Sequence, residues 1–158
     1  MSLAGIGYDC HRFAPGRKLI LGGVEIPHEQ GLAGHSDADV LIHALIDALL
    51  GGAGLGDIGE HFPDSDERYR NADSLTLLET VVTTVIAAGL EILNADCTVI
   101  MERPKLGPYK QEIRERLAKA LGLAPARVNV KATTGEGMGF VGRGEGVAAL
   151  ALASLRSR

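Results

Sequence analysis

The sequence predicts an α+β fold, an α/β sandwich in which helices pack on one side of a mixed β-sheet. Segments with the apolar pattern of helices alternate along the chain with segments that have the pattern of strands. Glycine-rich stretches separate many of these segments, as loops do. The chain has 158 residues, 46% of them hydrophobic, so we expect a single domain over residues 1–158 with its own core.

The chain begins with a predicted strand followed by a hairpin. Residues 3–11 alternate between two sets of side chains, so Asp9 and His11 lie on the same face of that strand. Two short segments at 18–21 and 24–27 flank a pair of glycines, which is a common hairpin signal. A small antiparallel ribbon is therefore expected after the first strand.

The first helix is predicted to begin at Ser36, a residue type that caps helices, and to end at the glycine pair after Leu50. Asp39, His43 and Asp47 recur every four residues along it. These three side chains should therefore line one face of the helix.

The rest of the chain alternates helices with strands and contains two long glycine-rich loops, a length at which loops usually carry function. In chain order we predict a loop at 54–71, a helix from Asp73 or Ser74 to Gly89, a strand at 92–101, a helix from Pro108 to Gly122, a strand at 128–132, a loop at 133–146, and an apolar strand or partly helical segment at 147–155.

The composition argues against several classes of protein. The net charge is −4 and the cations are scattered, so we expect no nucleic-acid partner. No apolar run is long enough to span a bilayer and the N-terminus lacks a secretion signal, so we expect a cytoplasmic protein with no membrane partner. Cys10 and Cys97 lie in apolar alternating segments, where we expect buried, reduced thiols.

A metal site is the main chemical hypothesis. Asp9 and His11 offer a carboxylate and an imidazole from one strand face, and His43 can join them from the first helix. Three ligands of this type leave a fourth position open, as in catalytic zinc sites. Asp47, one turn from His43, could orient that imidazole. The alternative is a chance Asp-x-His pair at a wet strand edge and a core histidine at position 43.

A second cluster surrounds the start of the first helix. Asp37 and Asp39 can be explained as acids that complement the helix dipole. His35 precedes the helix in a loop and could donate a hydrogen bond to a phosphate near the metal. His28 and His61 have no partner pattern and are expected at the surface.

Three further segments suit phosphate or nucleotide binding. The stretch 133–137 follows a strand end, and Glu136 within it could hold a magnesium ion shared with phosphate oxygens; the alternative is a simple glycine turn. The stretch 102–108 is stiffened by two prolines and could present its backbone to a base. Phe140 and Arg143 place an aromatic ring and a cation on a glycine loop, where a lone Arg is more often an ion-pair partner unless several chains bring copies together.

These segments form one ordered series along almost the whole chain: Asp9-x-His11, His35-Ser36-Asp37-x-Asp39, His43, Gly56-Asp57-Ile58-Gly59, Phe62-Pro63-Asp64, Pro104-Lys105, Val130-Lys131-Ala132-Thr133-Thr134 and Gly139-Phe140-x-Gly142-Arg143-Gly144-Glu145-Gly146. In order and spacing the series is similar to the 2-C-methyl-D-erythritol 2,4-cyclodiphosphate synthase family of the non-mevalonate isoprenoid pathway.

The resemblance implies a homotrimer with active sites between subunits. It implies one zinc ion per subunit on Asp9, His11 and His43, and a magnesium or manganese ion bound by Glu136 together with the substrate diphosphate. The implied substrate is 4-diphosphocytidyl-2-C-methyl-D-erythritol 2-phosphate, whose 2-phosphate attacks the β-phosphorus and expels CMP. Phe140 and Arg143 would surround the threefold axis, where an isoprenoid diphosphate could bind.

The resemblance also assigns roles to single positions. His35 and Thr134 match catalytic positions that stabilise the transition state. The matching substrate-binding positions are Asp9, His11, His35, Ser36, Asp57, Gly59, Phe62, Pro63, Asp64, Ser65, Asp66, Met101, Glu102, Arg103, Pro104, Lys105, Leu106, Gly107, Thr133, Thr134, Gly135, Glu136, Phe140 and Arg143.

Two positions depart from the family pattern. Gly135 stands where a hydroxyl or amide side chain is frequent, and Gly137 where a basic residue is frequent. Two other functions remain open: a zinc phosphoesterase or amidohydrolase, and a non-catalytic trimeric binder of nucleotide or isoprenoid diphosphate. The first would need a general base near the metal from among Asp37, Asp39 and His35.

Overall fold

A computed structural model describes all of residues 1–158. The strands are β1 (Ser2–Ala14), β2 (Leu19–Leu21), β3 (Val24–Ile26), β4 (Gly31–Leu32), β5 (Leu90–Ile100), β6 (Val128–Thr133) and β7 (Gly146–Ser157). The helices are α1 (Val40–Ala53), α2 (Ile58–His61), α3 (Ser74–Ala87), α4 (Lys110–Leu121) and α5 (Gly139–Gly142).

The main sheet is mixed, as predicted. Its five strands lie in the order β4-β1-β7-β5-β6. Strand β7 is antiparallel to both β1 and β5, whereas β5 and β6 are parallel. Strands β2 and β3 form the separate predicted ribbon around Gly22 and Gly23.

The helices pack on one face of this sheet, which confirms the predicted sandwich. On β1 the odd-numbered side chains face α1, and the core between sheet and helices is one continuous apolar cluster. On the other face Ile6 pairs with Leu152 and Tyr8 with Leu150, and all four side chains are exposed. Ile6 is the most open of them at 72%.

The predicted bounds of α1 are wrong at both ends. The helix is capped by Asp39, whose side chain accepts from the Ile42 N–H, and not by Ser36. Ala38 has a φ of 56°, so the chain before Asp39 is not helical. The glycine pair lies inside the helix, which ends at Ala53 with Gly54 in the left-handed conformation.

The other predicted elements are present with refinements. The helix predicted from Pro108 begins at Lys110, after a 3-10 turn at Gly107–Tyr109, and strand β4 was not predicted. The loop at 54–71 contains α2 and a 3-10 turn at Glu67–Tyr69, and the loop at 133–146 contains α5. The final segment is wholly a strand, so the partly helical alternative is wrong. Helix α3 is capped by Asp73, one of the two predicted caps.

Strand β1 and helix α1 approach each other without side chains between them. A Cβ atom on Gly5 would overlap the carbonyl oxygen of Ala48, and one on Gly7 would overlap that of Ala44. Glycine is therefore required at these two positions for the observed packing. The contact fixes the spacing between Asp9, two residues beyond Gly7, and the helix.

The two cysteines differ in exposure. Both thiols are unpaired, but Cys10 is exposed because even-numbered side chains of β1 point to the open face, so its predicted burial is wrong. Cys97 is buried, and burial raises the pKa of its thiol to about 12. None of the helices has the length and apolar character needed to cross a bilayer.

Candidate active site

The predicted metal ligands meet where β1 faces α1. Asp9 Oδ2 lies 2.9 Å from His11 Nε2 and 3.2 Å from His43 Nδ1. The two imidazole nitrogens are 3.2 Å apart. All three side chains are half-buried, so they form a compact cluster at the bottom of a cavity.

A backbone contact fixes the tautomer of His11. Its Nδ1 lies 2.9 Å from the carbonyl oxygen of Ala33. A carbonyl oxygen only accepts, so Nδ1 carries the hydrogen and Nε2 presents a lone pair to the cluster.

A side-chain relay fixes the tautomer of His43. Its Nε2 lies 2.9 Å from the Ser74 hydroxyl, which itself donates to the Asp37 carboxylate. The hydroxyl can therefore only accept from His43, so Nε2 carries the hydrogen and Nδ1 presents a lone pair. The Ser36 hydroxyl lies 3.2 Å from the same Nε2.

These tautomers leave three acceptor atoms aimed at one another. Asp9 Oδ2, His11 Nε2 and His43 Nδ1 are without an N–H or O–H between them, an arrangement that a cation stabilises. Two nitrogens and one carboxylate oxygen are a donor set that suits zinc, with one coordination position left for a substrate oxygen. The chain's own residues thus fit a divalent metal ion.

The charges in the cluster favour a positive charge at this point, either a proton or a metal ion. Burial raises the pKa of Asp9, but the two facing imidazoles outweigh it and hold that pKa at about 2. Burial lowers the pKa of His11, but the Asp9 carboxylate outweighs it and the net shift is upward. A proton and a metal ion therefore compete for His11, and metal binding releases the proton.

The residues that support the triad differ from those predicted. Asp47 does not contact His43, because its Oδ1 accepts from the Ile58 N–H at 2.8 Å, so the predicted orienting role is wrong. Ser74 orients His43 instead, although the sequence pattern predicted it only at the start of a helix. Asp37 accepts from the Ser74 hydroxyl and backbone N–H, so its function is more than complementing a helix dipole.

Asp39 is a fully buried helix cap. Its carboxylate accepts the backbone N–H groups of Gly22 and Gly23 in the hairpin turn and that of Ile42 in α1. Burial, followed by the nearby Asp37 carboxylate, raises the pKa of Asp39 to about 6, against the lowering effect of these three donors. The residue joins the hairpin to the start of α1.

The cavity beside the triad has a volume of about 260 Å³ and holds many of the predicted substrate residues. Its walls include Asp9, His11, His35, Ser36, His43, Ile58, Gly59, Phe62, Asp64 and Tyr69. His35 Nε2 donates to the carbonyl oxygen of Asp66 at 3.1 Å, which holds the imidazole at the cavity wall.

Four of the predicted substrate-binding residues between positions 57 and 66 do not line this cavity: Asp57, Pro63, Ser65 and Asp66. Asp57 caps α2 by accepting from the Glu60 N–H, and the Asp66 side chain pairs with Arg68. These four residues are sequence neighbours of the cavity residues but do not face the triad.

A second cavity of about 220 Å³ lies at the β5–β6 edge and holds most of the predicted nucleotide segment. It is lined by Val99, Met101, Pro104, Lys105, Leu106, Gly107, Ala132, Thr133 and Thr134. Thr134 Oγ1 accepts from the Glu136 N–H, and the Glu136 side chain is exposed. Gly135 donates its N–H to Glu102, and a Cβ there would crowd the backbone of Gly142.

The remaining predicted residues lie elsewhere. Glu102, Arg103 and Arg143 line a cavity of about 410 Å³ together with the half-buried His28. Arg143 pairs with Glu145, and Phe140 lines a separate cavity beside Cys10.

The two predicted catalytic positions lie in different cavities of one chain. His35 lines the cavity beside the triad and Thr134 the one at the β5–β6 edge, and the two cavities share no residue. Asp9 and Ala132 lie in one row across the sheet, three strand spacings apart, or about 14 Å.

Fold and site together define a small α+β protein in which three candidate metal ligands lie beside a cavity. The YgbB family profile matches residues 3–156, and the chain belongs to the YgbB family.

Two relatives illustrate the similarity. The 2-C-methyl-D-erythritol 2,4-cyclodiphosphate synthase of Symbiobacterium thermophilum is 58% identical over 156 residues, which cover 99% of both chains. The bifunctional enzyme IspD/IspF of an Anaeromyxobacter species is 61% identical over 151 residues, which cover 96% of this chain but 39% of that enzyme. The chain thus spans about two-fifths of the bifunctional relatives and nearly all of the shorter ones.

Solved structures agree. The bifunctional IspDF of Campylobacter jejuni superimposes with a TM-score of 0.96 at 46% identity, covering 100% of this chain and 43% of that one. A 2C-methyl-D-erythritol-2,4-cyclodiphosphate synthase in a CDP-bound form superimposes with a TM-score of 0.89 at 38% identity, covering 97% and 99%.

Proposed function

We propose that this chain converts 4-diphosphocytidyl-2-C-methyl-D-erythritol 2-phosphate to 2-C-methyl-D-erythritol 2,4-cyclodiphosphate with release of CMP. It is then a metal-dependent phosphorus–oxygen lyase of the non-mevalonate isoprenoid precursor pathway. The observation that carries the proposal is the convergence of three lone-pair atoms beside a polar cavity. This occurs in a chain 58% identical, over nearly its full length, to a protein named for this reaction.

In the proposed reaction an oxygen of the 2-phosphate attacks the β-phosphorus. The bond from the β-phosphorus to the oxygen that bridges it to the α-phosphorus breaks, and CMP leaves with that oxygen. No water is consumed. The protein's task is to hold two anionic groups together and in line, so positioning and charge stabilisation supply the rate.

Asp9, His11 and His43 would hold a zinc ion, which when bound acts as a Lewis acid on a phosphate oxygen. Glu136 would hold a magnesium or manganese ion only together with the substrate diphosphate. Its side chain is exposed and its backbone N–H donates to the Thr134 hydroxyl, and magnesium prefers a carboxylate combined with phosphate oxygens.

His35 and Thr134 are the proposed catalytic residues that donate hydrogen bonds to phosphate oxygens, with His35 turning its Nε2–H from the Asp66 carbonyl oxygen to the substrate. His35 reaches the cavity beside the triad, where Ser36 offers a second polar group. Gly59, Phe62 and Asp64 would hold the erythritol portion, with Asp64 accepting from its hydroxyls.

The other predicted positions remain part of the proposal. Asp57, Pro63, Ser65 and Asp66 would complete the sugar-binding loop, and residues 101–107 with 133–136 would hold the cytidine and its phosphates. The stretch 101–107 supports this because several of its residues line the cavity at the β5–β6 edge.

We further propose that the chain, as one domain over residues 1–158, assembles as a homotrimer. The separation of the two cavities supports this, because a neighbouring subunit could place its nucleotide cavity beside the triad of the first. The exposed apolar pairs on the open sheet face supply a surface for assembly. Phe140 and Arg143 would then surround the threefold axis and could contact an isoprenoid diphosphate.

A zinc hydrolase would have a single candidate base at this site. A hydrolase needs a free general base near the metal. Asp37 and Asp39 both have their carboxylate oxygens occupied by N–H or O–H donors, which leaves His35 as the one candidate base.

A cytoplasmic location also remains a proposal, with which the two unpaired cysteines are compatible.

The test is incubation of the purified protein with the proposed substrate, with and without zinc and magnesium, while CMP and the phosphorus NMR spectrum are followed. Metal-dependent CMP release with a cyclic diphosphate is expected, and Asp9→Asn should abolish it. Glu79→Gln is the matched control, because Glu79 is an exposed acid on α3 that lines neither cavity. Inorganic phosphate as product would indicate a hydrolase, and binding without turnover a non-catalytic binder.

A further inference from the structure

Asp47 lies on the same helix as a metal ligand but serves another part of the site. It is half-buried, one turn beyond His43 on α1. Its Oδ1 accepts from the Ile58 N–H at 2.8 Å. Neither ring nitrogen of His43 is available to it, since Nδ1 faces Asp9 and Nε2 contacts Ser74.

The Ile58 N–H belongs to the first turn of α2, where backbone donors have no partner within the helix. Helix α2 has only four residues, too few to be stable alone. It follows Gly54 and Gly56, both in the left-handed conformation, which glycine adopts more readily than other residues. The Asp47 carboxylate is therefore a tie between a short, weak helix and the long buried helix α1.

This tie controls one wall of the cavity. Ile58 and Gly59 of α2, followed by Phe62 and Asp64, form the side of the cavity that faces the triad. A carboxylate that accepts a backbone N–H makes a stronger hydrogen bond than a neutral acceptor. The distance between this cavity wall and His43 thus depends on the rigid helix α1 and on the hydrogen bond from Ile58 to Asp47.

We propose that Asp47 is a positioning residue that holds the substrate-binding wall at a fixed distance from the metal ligands and has no part in binding the metal. The identity of the substrate rests on the proposed function, but the tie itself does not. Loss of the carboxylate should free α2, weaken substrate binding and leave metal affinity unchanged.

The test compares Asp47→Ala and Asp47→Asn with the unchanged protein. Asp73→Ala is the matched control, because Asp73 is an exposed acid whose carboxylate also accepts one backbone N–H, that of Leu75. Three quantities are measured: hydrogen exchange of the Ile58 amide, zinc affinity by chelator competition, and kcat and KM for the proposed substrate.

For Asp47→Ala we expect exchange at Ile58 and KM each to rise about tenfold, the scale of one lost hydrogen bond to a charged acceptor. Zinc affinity should stay within about twofold of the unchanged protein, because no atom of the triad contacts Asp47. Asp47→Asn should show exchange at Ile58 and KM close to those of the unchanged protein, since its amide oxygen can accept the same N–H. Asp73→Ala should leave exchange at Ile58 unchanged, because its carboxylate accepts from Leu75 at the start of α3.

Unchanged exchange at Ile58, or a loss of zinc affinity in Asp47→Ala, would overturn the proposal. Should the alanine variant not fold, Asp47→Leu keeps the side-chain volume without an acceptor and decides the same question. A protein that makes no CMP would refute the proposed function alone, because the exchange and zinc measurements need no turnover.

Discussion

Ser74 donates both its hydroxyl and its backbone N–H to the carboxylate of Asp37. The orientation of that hydroxyl leaves only its lone pairs for His43 Nε2, 2.9 Å away. A residue outside the metal triad thus decides which nitrogen of a ligand histidine is free.

Ser74→Ala should weaken zinc binding about 10- to 100-fold, because His43 loses the partner that fixes its tautomer. Chelator competition on the purified protein measures this. Thr80→Ala on the same helix is the control, since its exposed hydroxyl contacts only the carbonyl oxygen of Thr76. Equal zinc affinity in Ser74→Ala and the control would contradict the relay.

Removal of the metal should lower thermal stability. An ion present at 100 times its dissociation constant stabilises the folded state by about 2.7 kcal/mol, which for a chain of this size is roughly 5–10 °C in Tm. Differential scanning calorimetry with and without a chelator measures the shift. His11→Ala should abolish the response to chelator, and a variant that still responds would place the metal elsewhere.

The buried Asp39 should make stability depend on pH. Its pKa is raised from 3.8 to about 6, so the folded state holds the proton more tightly than the unfolded chain does. The stability that Asp39 contributes is therefore greatest below pH 4, falls as the pH rises to about 6, and is constant above that. The total change is roughly 3 kcal/mol.

Denaturant unfolding of the metal-free protein and of Asp39→Asn, from pH 4 to pH 7, isolates this effect. The amide does not titrate, so the stability of the unchanged protein relative to the variant should decline over that range. A relative stability that rises with pH would show that the three N–H donors outweigh burial.

The open sheet face should hold the subunits together. Ile6→Arg places a charge opposite Leu152 on this face, where Ile6 is 72% exposed, and should convert the proposed trimer to monomers in light scattering. Ile86→Arg is the control, an exposed isoleucine on α3 away from this face. A monomeric unchanged protein, or a trimeric Ile6→Arg, would contradict the assignment.

Local patterns predicted every strand except β4, and they offered Asp9, His11 and His43 as candidate metal ligands, which the structure brings together. Strand alternation places Asp9 and His11 on one face, and His43 follows on the next long element. The supporting contacts could not be predicted, because Ser74 lies 37 residues from Asp37 in the chain and 31 from His43. Their meeting depends on how α3 packs, which no local pattern encodes.

Two errors have the same origin. Ser36 and Asp39 are equally good helix caps by residue type. Tertiary structure chooses Asp39, because the hairpin turn supplies two more N–H donors to its carboxylate. Asp47 shares a helical face with His43, but its partner comes from a loop whose path depends on two left-handed glycines.

The glycine contact between β1 and α1 separates two properties that usually change together. Gly5 and Gly7 bring the backbones of β1 and α1 into direct contact. No side chain therefore separates the strand that carries Asp9 and His11 from the helix that carries His43. A side chain elsewhere in the core can change its rotamer without altering the distances among the ligands. This chain can therefore lose or gain stability through its core while its affinity for metal stays the same.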